Sequence, residues 1–279
     1  MRHISIIIFF TAFTTTSVFA QNKCFTVYDS INSTAISYAN IWKNDTIYAN
    51  SDVNGRFYIK DNDIKNEFKI TCIGYLSKSI NLNSNTILLE KDNVNLKEVV
   101  IINPKRKHKI RLGKTSGTNT GLVATYDLNR SEVGKLFKIN EANQFYLREV
   151  KFKTSTYKEG RTMGLKIYSL NENNEPDQLI SLENIILTLE KGFNITTYNF
   201  EENLIPVPKN GFFVSLQMIL IEENKQYGTS GKLVDYFFYD PSIGAINGVE
   251  EELCFSQQQE GVWKKMRKID LNIQVILTD

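Results

Sequence analysis

Oxygen-bearing side chains recur at alternate positions from residue 50: Asn50, Asp52 and Asn54, then Asp61, with Gly55 at the turn. They fall at the first, third, fifth and twelfth places of a calcium loop with glycine sixth. A hard cation needs this arrangement because it gathers oxygens from a tightly turned backbone. The match departs from such a loop in three respects: Asn stands first instead of Asp, Asp stands twelfth instead of a bidentate Glu, and the flanks are strand-like. A strand–turn–strand in which Asp52, Asn54, Gly55 and, further on, Gly74 are structural turn residues accounts for the same pattern. No metal is therefore expected.

Other chemistries lack participants. His3 lies in an N-terminal leader and His108 in a basic run, so Ser–His and Cys–His catalysis and multi-histidine metal sites have no base or ligand set. The chain has no Gly-x-Ser-x-Gly elbow, no His-Glu-x-x-His and no phosphate-binding glycine loop. Cys24, Cys72 and Cys254 allow at most one intramolecular disulfide, and no Cys-x-x-Cys pair exists. A bridge between Cys24 and Cys72 and buried free thiols both stay open, the second being favoured. Carboxylates remain: Glu149, Asp235, Glu250 and Glu252 could flank a glycosidic bond, but acids borne on strands usually form a solvated face. Aromatic residues are the stronger signal. Tyr157, Tyr198, Tyr227, Tyr239 and Trp263, with Tyr168 and Tyr236, could stack on pyranose rings without any cofactor.

The elements that would position these residues are short strands. Residues 1–20 combine Arg2, an apolar run from Ile4 to Phe13 and a small-residue end at Ala20, which predicts a secretory signal peptide. No later segment is long and apolar enough for a transmembrane helix. The formal net charge of +2 falls to about +1 without Arg2, so no global field favours nucleic acid. Hydrophobic residues at 42% suffice for two modest cores. Period-two alternation predicts strands at 24–29, 39–43, 46–49, 56–60, 67–73, 78–82 and 86–91. The basic run Pro104-Lys105-Arg106-Lys107-His108-Lys109 with Arg111, followed by Gly113, Ser116, Gly117 and Gly121, predicts a flexible linker over 103–120. Beyond it, strands are predicted at 146–154, 164–170, 184–189, 195–200, 211–221, 233–239, 262–266 and 271–278, a count suited to a jelly roll.

Asp52-Val53-Asn54-Gly55-Arg56-Phe57, Phe68-Lys69-Ile70-Thr71-Cys72-Ile73-Gly74-Tyr75 and Leu96-Lys97-Glu98-Val99-Val100 resemble the carboxypeptidase regulatory-like domain that many Bacteroidetes envelope proteins carry near their N-termini. The resemblance covers about residues 25–102, within a first domain predicted over 21–102. Phe25 stands where the family often has glycine, and Asn32-Ser33 replaces its usual Thr-Gly turn. It implies a seven-stranded transthyretin-like sandwich. Residues 121–279 resemble, by pattern alone, the jelly-roll modules of adhesins and carbohydrate-binding proteins. The expectation is an all-β, non-catalytic exported protein of the periplasm, outer membrane or cell surface. It would bind a glycan or an envelope protein. The alternatives are a carboxylate-dependent glycoside hydrolase and an accessory protein of an outer-membrane uptake system.

Overall fold

The computed structural model describes residues 22–92, 108–117, 120–123, 130–139, 143–200, 203–230 and 234–279. The leader and the basic residues 103–107 lie outside that set. Regular structure in it is strand throughout, apart from short 3-10 turns at Asp61–Asp63 and Glu222–Asn224.

Seven strands build the first unit: β1 (Asn22–Asp29), β2 (Asn40–Lys43), β3 (Thr46–Asn50), β4 (Arg56–Lys60), β5 (Glu67–Thr71), β6 (Lys78–Asn81) and β7 (Thr86–Leu89). They form two sheets, β4–β1–β7 and β3–β2–β5–β6, in which only β1 and β7 run parallel. The alternation read from sequence is the packing itself. Phe25, Val27, Phe57, Ile59, Ile87 and Leu89 of the first sheet meet Ile41, Phe68 and Ile70 of the second in one buried cluster. The strands on either side of residues 61–66 are not hydrogen-bonded partners, because β4 pairs with β1 and β5 with β2. Each turn instead carries the chain across from one sheet to the other, so that Phe57 and Phe68 face each other across the core.

The first of these crossings depends on Gly55. Its φ is +75°, and a Cβ placed there would lie 2.7 Å from the Val27 carbonyl oxygen. The Asp52 carboxylate closes the turn by accepting from the amides of Asn54 and Arg56, each at 2.8 Å.

Seventeen strands follow: β8 (Lys109–Gly113), β9 (Thr120–Val123), β10 (Glu132–Phe137), β11 (Tyr146–Thr156), β12 (Arg161–Leu170), β13 (Pro176–Leu179), β14 (Ile185–Leu189), β15 (Gly192–Asn199), β16 (Ile205–Pro206), β17 (Phe212–Met218), β18 (Lys225–Ser230), β19 (Val234–Tyr239), β20 (Ser242–Asn247), β21 (Cys254–Gln259), β22 (Val262–Lys265), β23 (Ile269–Leu271) and β24 (Ile273–Thr278). One sheet runs β13–β12–β17–β10–β21–β22 with β14 also on β12, the other β23–β20–β11–β24–β8 with β15 and β16 on β11 and β9 on β20. Their inner faces share a large apolar core that includes Val150, Phe152, Leu165, Ile167, Val214, Leu216, Ile273 and Val275. The linker expected over 103–120 is corrected at its C-terminal end. Lys109–Gly113 pairs with β24 and Thr120–Val123 with β20, because Ile110 and Leu112 pack on this core and outweigh the flanking charges.

The outer face of the first sheet is polar yet buried. The Glu132 carboxylate accepts from Lys166 Nζ at 2.5 Å, Ser215 Oγ at 2.8 Å and Tyr168 Oη at 3.0 Å. Such a pair is tolerated inside a protein only where the remaining lone pairs are also satisfied, as they are here.

The first unit docks on this region. Gln217 Nε2 donates to Asn40 Oδ1 at 2.5 Å, Lys69 Nζ meets the Glu260 carboxylate at 2.8 Å, and the Glu260 amide donates to the Asp45 carbonyl at 2.9 Å. Asn50 holds Leu220 twice: its amide donates to the Leu220 carbonyl at 3.1 Å and its Oδ1 accepts from the Leu220 amide at 2.8 Å. Trp42 and Ile47 of the first unit join the apolar core of the second.

Two outcomes are expected. Gly55→Val should destabilise the protein by about 1–3 kcal/mol from backbone strain alone, read by urea melting. An unchanged midpoint would contradict the turn geometry. The second concerns acid. The Asp29 carboxyl is held below the usual carboxylate range chiefly by the Ile31 amide, with the Asn32 amide, Tyr75 hydroxyl and Lys91 ammonium assisting against burial. A carboxyl whose folded pKa is depressed contributes stability above its unfolded value, near pH 4, and loses it as pH falls through the folded value. Asp29→Asn should therefore flatten the fall in stability below about pH 4, and a variant with an unchanged acid limb would rule this out.

Candidate functional site

Docking of the two units leaves a groove of about 700 Å³ between them. One wall comes from the first unit: Thr46, Tyr48 and Asn50 of β3, the Asp52 turn, and Arg56, Tyr58 and Lys60 of β4. The opposite wall comes from the second: Leu220, Ile221, Glu222, Glu223 and Lys225, with Phe237 and Tyr239 of β19. This volume lies within the roughly 300–1,000 Å³ usual for small-molecule sites.

Strand alternation sets the first wall. In β4, Phe57 and Ile59 are buried while Arg56, Tyr58 and Lys60 point outward, and the Tyr58 ring is 51% exposed. Tyr48 is fixed from behind, its hydroxyl donating to Asp63 Oδ2 at 3.0 Å and accepting from the Lys60 amide at 3.3 Å. On the second wall the 3-10 turn and the β18–β19 hairpin build a linked rim. Glu222 accepts from Lys225 Nζ and from Tyr227 Oη, both at 2.6 Å, and Lys225 lies 4.9 Å from the centre of the Phe237 ring. Burial pushes the Glu222 carboxyl up, but the Lys225 and Tyr227 bonds hold it below the usual carboxylate range. Phe237 stays 44% exposed, whereas Tyr239 is 8% exposed and stands edge-on to it at 5.9 Å. Burial raises the Tyr239 phenol to about 12, so it acts as a neutral wall and donor.

Of the aromatics singled out by sequence, Tyr239 lines the groove and Tyr227 stands on its rim, bonded to Glu222. Three lie elsewhere. Tyr157 is exposed beside Phe238, and Tyr198 stacks edge-on with Phe200 at 4.7 Å in a second cleft of about 580 Å³. Trp263 is half-buried, with its ring 5.1 Å from Phe213 and 5.6 Å from Tyr168. The side chains of Asp235 and Tyr236 lie outside the described residues. Glu149 pairs with Lys151 at 2.9 Å, and Glu250 and Glu252 are exposed in the loop after β20, so these acids do not meet.

The cation-loop residues are also placed. Asn50 is turned to the second unit, Asp52 caps its own turn, and Asp61 opens the 3-10 turn after β4. Among the described residues no three of His, Cys, Asp and Glu cluster as metal ligands. Gly74 carries a φ of +83° with open space around it. The three cysteines are free, and burial raises the thiols of Cys72 and Cys254 to about 11 and 12, so neither is a thiolate at neutral pH.

Sequence reasoning missed Tyr58, Phe237 and the Arg56 and Lys60 pair. The alternation of β4 already sets Tyr58 on the face opposite Phe57. What it lacks is any sign that the second unit stands beside that strand to form a groove.

No family model and no curated protein matches this chain. Among solved structures, the cysteine protease and lectin-like domains of a surface-layer-associated protein of Clostridium difficile match 58% of this chain and 37% of theirs, at 10% identity and a TM-score of 0.38. A clostridial cysteine protease after propeptide cleavage matches 81% of this chain and 48% of its own, at 12% identity and a TM-score of 0.40. The infectious bursal disease virus Gx strain matches 86% and 59%, at 8% identity and a TM-score of 0.27. The chain spans about half or less of the two clostridial structures. Similarity at this level does not carry function across, which leaves the residues of the groove to indicate it.

The clasp that shapes the groove can be tested directly. Asn50→Ala removes the acceptor of the buried Leu220 amide and a donor to Asn40 Oδ1, and should cost about 1–3 kcal/mol in urea melting. Asn54→Ala, in the exposed part of the same turn, should change stability by less than about 0.5 kcal/mol. Added calcium should leave both midpoints where they are. A calcium-dependent rise abolished by Asp52→Ala would restore the cation-loop reading.

Proposed function

We propose that this chain is a non-catalytic exported binding protein that holds a glycan in the groove between its two β units. The observation that carries it is the pair of exposed rings, Tyr58 and Phe237, presented by opposite walls of one groove and rimmed by hydrogen-bonding side chains. Aromatic faces stack on the apolar faces of pyranose rings, while amide, carboxylate and ammonium groups align the hydroxyls. Asn22, Glu222, Glu223 and Lys225 supply such groups here. The resemblance of the first unit to carboxypeptidase regulatory-like domains supports an envelope setting, as does the leader read at residues 1–20.

Glycoside hydrolysis fits the groove less well. It needs one carboxyl held protonated and a second ionised across the bond. Asp52 is committed to two backbone amides and Glu222 to Lys225 and Tyr227, which leaves Glu223 as the uncommitted acid of the groove.

The test is a glycan panel against the full mature chain, followed by calorimetry on the best ligands. Tyr58→Ala and Phe237→Ala should each weaken binding by about five- to thirtyfold, since stacking on one exposed ring contributes on the order of 1–2 kcal/mol. Both rings are exposed, so melting should hardly move. Turnover of a bound glycan, or affinity indifferent to both substitutions, would sink this assignment.

A further inference from the structure

Strand β4 presents its outward residues as a ladder of cation, ring, cation: Arg56, Tyr58 and Lys60. Alternate residues of a strand stand about 6.8 Å apart on one face. A pyranose stacked on Tyr58 therefore has a cationic side chain beyond each of its edges, within reach of exocyclic substituents. Neither cation forms an ion pair among the described residues.

The acids nearby lie in the turns that flank the strand or on the opposite wall. Lys43 and Tyr48 hold Asp63, Asp52 is bonded to the amides of Asn54 and Arg56, and Glu222 is bonded to Lys225 and Tyr227. Glu223 stands on the opposite wall, and Asp61 follows Lys60 at the end of the strand. Arg56 and Lys60 are the charged groups that share one outward strand face with the exposed ring. A neutral sugar would leave Arg56 and Lys60 hydrogen-bonded to hydroxyls alone, whereas an anionic group converts one or both into charge-assisted bonds.

We propose that the groove selects anionic saccharides: sugars that bear a carboxylate, sulfate or phosphate on the ring stacked over Tyr58 or on its neighbour. This rests on glycan recognition at the same groove. Arg56 offers a planar fork suited to carboxylate, sulfate or phosphate, and Lys60 a compact point charge. Tyr58 supplies contact that is indifferent to the ligand's charge.

The test titrates the full mature chain with matched oligosaccharides: a neutral glucan, its uronic-acid counterpart and its sulfated counterpart. Wild type should prefer both acidic ligands by about tenfold or more, with the preference shrinking as salt rises. The Arg56→Gln/Lys60→Gln variant should bind all three alike, at the affinity wild type shows for the neutral one, and should melt as wild type does. Tyr58→Ala should weaken all three together. Equal wild-type affinity for neutral and acidic ligands, or a preference that survives in the double variant, overturns anion selection and leaves glycan binding standing. Failure of all three ligands and of a wider panel to bind overturns glycan binding itself. A preference for the sulfated over the uronic ligand, or the reverse, identifies which anion Arg56 favours and supports the proposal either way.

Discussion

The two hydrogen bonds between Asn50 and Leu220 fix more of this molecule than their number suggests. Each unit has its own apolar core. What sets their mutual position is a small group of directional contacts: the Asn50 clasp, the bond from Gln217 to Asn40, the ion pair of Lys69 with Glu260, and the apolar entry of Trp42 and Ile47. Apolar burial is non-directional and would tolerate sliding. A residue whose backbone N–H donates to Leu220 and whose side-chain oxygen accepts from it does not. The groove lies beside this clasp, with Asn50 and Leu220 both in its lining, so its shape follows from the docking geometry and not from either sandwich alone.

The buried Glu132 carboxylate serves the same end from the other side. A buried ion pair contributes little net stability, since the loss of hydration offsets the attraction, but an unpaired buried charge is strongly unfavourable. Lys166, Tyr168 and Ser215 must all reach Glu132 from neighbouring strands, which ties β10, β12 and β17 to one relative register. That is the sheet from which Gln217 projects to Asn40. Gly134 contributes to the same register, because a Cβ there would sit 2.5 Å from the Phe213 ring that crosses over it. Local sheet register and interunit docking are thereby coupled through adjacent residues of β17.

Much of this architecture could be read from sequence, and the failures have physical reasons. All seven strands of the first unit were legible within two residues at each end, most clearly β4, β5 and β7, which bury alternate side chains against one core. In the second unit β10 was missed, as were β13, β18, β20 and β21. The six residues of β10 are all buried, yet Glu132, Gly134 and Lys135 break any apolar alternation, and their burial comes from pairing with Lys166, Asp270 and the overlying Phe213. Strand β15 was predicted from residue 195 and begins at Gly192, where Phe193 faces outward and breaks the expected apolar burial. The groove was illegible because it combines residues about 170 positions apart, Asn50 with Leu220, and no local pattern encodes a partner that distant. The same spacing that suggested a cation loop was a true signal of constrained oxygens. Those oxygens bind backbone amides, Asp52 within its turn and Asn50 across the interface.

A site made of two walls has a thermodynamic consequence that a site within one sandwich would not. A ligand that touches both Tyr58 and Phe237 binds only the docked arrangement, so its binding free energy adds to that of docking. Conversely, loosening the clasp lowers apparent affinity by the fraction of molecules no longer docked, without altering any group that touches the ligand. Tyr58, Arg56 and Lys60 are exempt from this coupling, because all three sit on one strand of the first unit and keep their spacing whether or not the second unit is in place. Weakened docking should therefore spare the choice between neutral and anionic ligands while reducing affinity for both.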